Sequence, residues 1–153
     1  MRTYISESDY ENQMKNTVEP TLAAVRQSGT FRVADGTELA VALYPAKDPR
    51  GSVVIVHGFS ETAEKYRELI WYFLNENYTV LAYDQRGHGR STRTAPADVT
   101  HVTAFENYVE DLHALLEAKA EEPPRPRYLF SHSMGGAVGA LFLISYAVFC
   151  LKK

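Results

Sequence analysis

Cysteine is almost missing from this chain: Cys150 stands alone among 153 residues. A lone cysteine excludes an internal disulfide and removes any dependence on an oxidising compartment. Basic residues are not in excess either, with 16 Lys and Arg against 19 Asp and Glu, a net charge of −3. That balance argues against a dedicated nucleic-acid binder. The first fifteen residues, MRTYISESDYENQMK, hold no apolar core and no cleavage-site pattern, so no secretory signal is expected. The tail 136–151 carries no charge and falls short of the roughly 20 residues that cross a bilayer. It contains two glycines and a serine, and a helix buried under neighbouring structure is favoured over a membrane anchor. There are no repeats, no low-complexity tracts, no H-E-x-x-H, no phosphate-binding P-loop and no G-x-G-x-x-G. No histidine pair has metal-ligand spacing, so neither a metal nor a cofactor is expected.

What is present reads as one globular domain. Hydrophobic residues make up 45% and charged residues 23%, which excludes disordered, collagen-like and coiled-coil architectures. Residues 7–18 predict a short polar helix with Tyr10, Met14 and Val18 on one side, stopped at Pro20. Residues 1–28 are accordingly taken as an N-terminal helix and linker, and 29–153 as the main domain. Two strands, 30–34 and 39–44, flank the hairpin signal Asp35-Gly36. The β-branched run 52–57 predicts a strand buried on both faces. Tyr66, Leu69, Ile70, Phe73 and Leu74 follow helical spacing, and 79–83 is a second apolar strand. Val102, Phe105, Val109, Leu112 and Leu116 outline another helix, ending near Glu121 with Glu110 and Asp111 on its solvated face. A proline-rich linker, 122–127, precedes a third buried strand at 128–131. The alternation of strand and helix implies a parallel sheet with right-handed crossovers, preceded by an antiparallel hairpin.

The chemistry-bearing residues fall in the loops after the three parallel strands. Ser131-His132-Ser133-Met134-Gly135-Gly136 sits where the last strand gives way to an apolar helix. A serine at such a turn projects its hydroxyl from the sheet edge, and the helix N-terminus offers N–H groups to a developing oxyanion. The usual pattern is G-x-S-x-G, and here Ser131 replaces the first glycine. Alone, the remaining S-x-G is weak. Its context strengthens it: His57-Gly58-Phe59 follows the first parallel strand, where a loop N–H would complete an oxyanion hole. Asp84-Gln85-Arg86-Gly87-His88-Gly89 follows the second, and all three loops open on the edge where α/β proteins place their sites.

VVIVHGF, YDQRGHGRS and FSHSMGGAV, in that order, resemble the α/β-hydrolase superfamily, in particular its lysophospholipase and monoacylglycerol lipase-like branch, also called serine aminopeptidase-like. The resemblance runs over residues 31–143. It implies Ser133 as nucleophile and the backbone N–H groups of Phe59 and Met134 as the oxyanion hole. It also implies signature loops at His57, Gly58, Asp84, Arg86, Gly87, His88, Gly89, Gly135 and Gly136, with Asp84, Arg86 and His88 structural and not catalytic. The implied substrate is a lysophospholipid or monoacylglycerol ester, cleaved through an acyl-enzyme.

Such enzymes order their triad as Ser, then Asp or Glu, then His, yet no Asp, Glu or His follows Ser133. Earlier histidines are expected to serve locally: His57 and His88 in loops, His101 and His113 around a helix, and His132 pointing away from its neighbour. The fold expected is the N-terminal portion of an α/β-hydrolase without cap and C-terminal strands, leaving 128–131 at an open sheet edge. Little or no turnover is expected of it alone. The alternative is a non-catalytic module that pairs through that edge with a complementing C-terminal fragment or with a second copy. A cytoplasmic setting is expected, with peripheral membrane contact consistent with a lipid ester substrate.

Overall fold

A computed structural model describes residues 4–96, 99–119 and 124–150, with side chains to residue 145. The predicted end of the second amphipathic helix near Glu121 and the start of the proline-rich linker lie outside the described residues. Five strands form one mixed sheet: β1 (Gln27–Arg32), β2 (Glu38–Tyr44), β3 (Gly51–Val56), β4 (Tyr78–Tyr83) and β5 (Arg127–Ser131). Their spatial order is β1-β2-β4-β3-β5. β1 and β2 pair antiparallel, as do β2 and β4, while β3 pairs parallel with both β4 and β5.

Alternation along the central strands sends side chains into two cores. Val54 and Val56 of β3, with Leu81 and Tyr83 of β4, pack against Tyr108, Val109, Leu112, Leu115 and Leu116 of α4 (Glu106–Ala118). Val53 and Ile55, with Val80 and Ala82, face Ile70 of α3 (Arg67–Asn75) and Tyr66 of the 3-10 turn before it. This two-sided burial is why β3 reads as an unbroken β-branched run.

The N-terminal helix does not stop at Pro20. After α1 (Tyr10–Gln13) comes a π-helical stretch, Met14–Val18, and then α2 (Glu19–Val25), with Pro20 in its first turn. The proline is accommodated by the wider turn that precedes it, in which Glu19 N–H bonds to the Met14 carbonyl five residues back. Val18 and Leu22 are buried against Ala42 and Tyr44, so this segment covers one face of the sheet.

Two elements are less buried than their composition suggests. β5 is half-buried, with Tyr128 51% exposed, because only β3 flanks it. α5 (Met134–Cys150) buries Val138 and Gly139 but exposes Leu141, Leu143 and Ile144. The described sheet ends at β5, so among the described residues nothing covers Leu141, Leu143 and Ile144 of α5. Among the described residues no helix is long and apolar enough to cross a membrane.

Candidate active site

The three loops converge at the C-terminal ends of β3, β4 and β5. Ser133 occupies the turn between β5 and α5 with φ +52°, a left-handed conformation costly for a residue with a Cβ. The turn is closed by Gly135 N–H to the His132 carbonyl and Gly136 N–H to the Ser133 carbonyl, both 2.9 Å. His132 N–H reaches the Val56 carbonyl at 3.1 Å, which ties the turn to β3. Ser133 itself is exposed.

Close approach decides which glycines matter. A Cβ on Gly135 would land on the carbonyl oxygens of Val56 and His57. One on Gly58 would stand 3.1 Å from Ser133 Cβ, so the loop after β3 lies directly against the serine turn. One on Gly136 would meet open space. Ser131 is accommodated in the usual glycine position because Gly139 lies opposite: a Cβ there would be 2.7 Å from Ser131 Oγ. Among the described residues, the N–H groups of Phe59 and Met134 meet no acceptor within the fold. They remain available beside Ser133.

The histidines are otherwise occupied. His57 is buried, its Nδ1 2.7 Å from the Gly58 carbonyl and its Nε2 accepting the Gln85 N–H at 2.9 Å. Burial pushes its pKa down, so the ring is neutral, with both nitrogens committed. His88 is also buried and shifted down by burial, with Nδ1 2.9 Å from the Arg86 carbonyl. Its ring stacks edge-on against His57 and Phe59. His113 lies 3.1 Å from Glu117, and His101 3.2 Å from Thr94 Oγ1. His132 Nδ1 is 3.2 Å from Glu61 Oε2.

The loop after β4 is a clamp. Asp84 accepts the N–H of Ala63 at 2.8 Å and of Arg90 at 3.0 Å, and its carbonyl accepts Ser91 Oγ at 2.5 Å. A Cβ on Gly89 (φ +47°) would strike the Asp84 carboxylate, and one on Gly87 (φ +75°) would sit 2.5 Å from the His101 carbonyl oxygen. Arg86 binds Asp111 through two hydrogen bonds and Asp35 through a third. Asp111 therefore does not lie on a solvated face. It is 2% exposed and turned inward, since a buried guanidinium requires a counter-charge.

One carboxylate that sequence reasoning passed over is Glu61, which reaches Gly58, Lys65, Tyr66 and His132. Its sequence signal is faint: a carboxylate three residues after the glycine of a tight loop. Among the described residues no group of three or more His, Cys, Asp or Glu is placed to hold a metal.

Residues 47–150 match the family described as serine aminopeptidase, S33. Lysophospholipase L2 of Escherichia coli K12 is 35% identical over 127 residues, 82% of this chain and 37% of that protein. The monoacylglycerol lipase of Mycolicibacterium smegmatis is 33% identical over 119 residues, 76% of this chain and 41% of that one. Among solved structures, a thermostable carboxyl esterase from Bacillus coagulans superposes with a TM-score of 0.68 at 27% identity, over 80% of this chain and 41% of the esterase. The chain thus spans about two fifths of the length of these relatives. Three motif loops at one sheet edge and a family match from the turn before β3 into α5 agree: the chain belongs to the serine aminopeptidase S33 family and carries the N-terminal portion of its α/β-hydrolase fold.

Proposed function

We propose that Ser133 is the nucleophile of a carboxylic-ester hydrolase whose substrates are lysophospholipids or monoacylglycerols. The observation that carries this reading is the strained, exposed Ser133 flanked by two uncommitted N–H groups, Phe59 and Met134. The names of the relatives support the substrate class. In the reaction Ser133 Oγ bonds to the ester carbonyl carbon, the carbonyl oxygen takes up negative charge against the two N–H groups, and the alcohol departs. Water then releases the carboxylic acid from the acyl-enzyme.

The serine proton must go to a base. Within these 153 residues the histidines are engaged elsewhere, and neither acid nor imidazole follows Ser133. This chain alone is therefore expected to show little or no turnover. With triad members removed from an otherwise intact enzyme, the oxyanion hole and binding leave only about 10³–10⁴-fold over water. The test is a fluorophosphonate probe on the folded chain, read by intact mass beside Ser133→Ala. Slow labelling lost in Ser133→Ala supports the nucleophile. Labelling that survives the substitution overturns it.

A second reading is favoured by the open side of β5 and the exposed apolar face of α5. Here the chain is a non-catalytic module that pairs through that edge with a complementing C-terminal fragment or with a second copy. Folded protein that the probe fails to label favours this reading. A cytoplasmic setting is part of the proposal, supported by the lone cysteine.

A further inference from the structure

We propose that Glu61 is the positioning residue of this site, a single carboxylate that locks the oxyanion loop to the turn bearing Ser133; the proposal rests on the assignment of Ser133 and the Phe59 N–H above. Glu61 Oε2 accepts the Gly58 N–H at 2.8 Å and the Tyr66 hydroxyl at 2.5 Å, and lies 3.2 Å from His132 Nδ1. Oε1 takes the Lys65 ammonium. One side chain therefore joins three separate pieces: the loop after β3, the 3-10 turn before α3, and the residue preceding Ser133.

The bond to Gly58 has a direct geometric effect. It fixes the peptide plane entering Gly58, one residue before the Phe59 N–H. The Glu61 N–H returns to the Gly58 carbonyl at 3.4 Å, so the loop is closed from both ends. Between them Ser60 adopts φ +57°, a conformation the loop must be held in. Gly58 leaves room for this closure, because a Cβ there would stand 2.9 Å from Glu61 Oε2 and 3.1 Å from Ser133 Cβ.

Glu61 is 12% exposed. Burial would raise its carboxyl, but hydrogen bonds from Lys65, Tyr66, Gly58 and His132 outweigh it and hold it well below the usual carboxylate range. A carboxylate so tightly held is a poor base, and among the described residues no hydrogen bond links His132 to Ser133. Positioning, and not proton transfer, is what this geometry supplies.

The test compares the 153-residue chain with Glu61→Ala and Glu61→Gln. Two readouts are taken: hydrogen exchange of the Gly58 amide by NMR, and the rate of Ser133 phosphonylation by the fluorophosphonate probe. In Glu61→Ala the Gly58 amide loses protection by about tenfold, while β3 and β4 amides keep theirs. Labelling slows by about tenfold, since an oxyanion donor is displaced and not removed. Glu61→Gln, which keeps an acceptor oxygen, restores part of both. Gly58 protection and labelling both unchanged in folded Glu61→Ala overturn the proposal, as does a loss that Glu61→Gln does not relieve. If Glu61→Ala fails to fold, Glu61→Gln against the parent decides on the same readouts, intermediate losses supporting the proposal and parent-like values overturning it. If the parent is not labelled, the nucleophile assignment fails by itself, and Gly58 exchange still decides the role of Glu61.

Discussion

Arg86 and Asp111 meet in a two-pronged ion pair, 2.6 Å from Nε to Oδ2 and 2.5 Å from Nη2 to Oδ1. The pair joins the loop after β4 to the buried side of α4, and Arg86 Nη1 reaches on to Asp35 in the β1–β2 turn at 2.9 Å. The two bonds to Asp111 raise the Arg86 pKa, so the guanidinium stays charged. Burial pushes the Asp111 carboxyl up, and Arg86 offsets part of that push.

Asp111→Ala leaves the Arg86 charge, which is only 12% exposed, with the exposed Asp35 as its remaining partner. The expected loss is about 3–5 kcal/mol, the usual result of removing one partner of a buried pair. Asp35→Ala, at an exposed partner, costs under about 1 kcal/mol. Urea denaturation of the two variants checks the order.

The glycines around the serine turn predict a graded series. Gly135→Ala drives a Cβ into two backbone carbonyls and destabilises by about 1–3 kcal/mol. Gly139→Ala comes too close only to the movable Ser131 hydroxyl, with Ser131 Cβ and Leu129 Cδ1 at ordinary contact distance, and costs less. Gly136→Ala meets nothing and stabilises α5 by about 0.5–1 kcal/mol. Thermal midpoints in the order Gly136→Ala, parent, Gly139→Ala, Gly135→Ala would agree with this packing.

Ser133→Gly should be more stable than the parent. Relieving a left-handed residue returns about 1–2 kcal/mol, against about 0.5–1 kcal/mol of added unfolded-state entropy. Ser133→Ala keeps the Cβ and leaves stability unchanged. A Ser133→Gly variant less stable than Ser133→Ala by the full entropic cost, about 0.5–1 kcal/mol, would show that the turn stores no strain.

Stability should fall as pH drops through about 6.5. His57 and His88 have their pKa lowered by burial, so below the unfolded value the unfolded chain binds protons that the folded chain refuses. Their contribution is complete above that value and declines until the folded values are reached. The limiting slope is about 2.7 kcal/mol per pH unit for two protons. Urea midpoints measured from pH 7.5 to 5.5 check the sign, and a flat profile would contradict it.

Much of this was legible because it depends on local pattern. The hairpin at Asp35-Gly36, the buried run of β3 and the helical spacing of α3 and α4 each follow from periodicity, which the backbone obeys residue by residue. The three loop motifs could be assigned to one sheet edge because parallel strands leave their C-terminal ends together. Pro20 was less legible, since whether it ends a helix depends on whether the preceding turn widens to accommodate it.

The order of motifs along the chain, the serine at the β5–α5 turn, and the want of any acid or imidazole after Ser133 were determined by sequence alone. Tertiary structure decided what each charged or apolar group has to face. Asp111 turned inward because Arg86 arrives from a distant loop, and Glu61 became a hub because Gly58, Tyr66 and His132 converge on it. α5 remained half-exposed although its composition is that of a core helix, because burial depends on a neighbouring layer, and beyond β5 the described fold provides none.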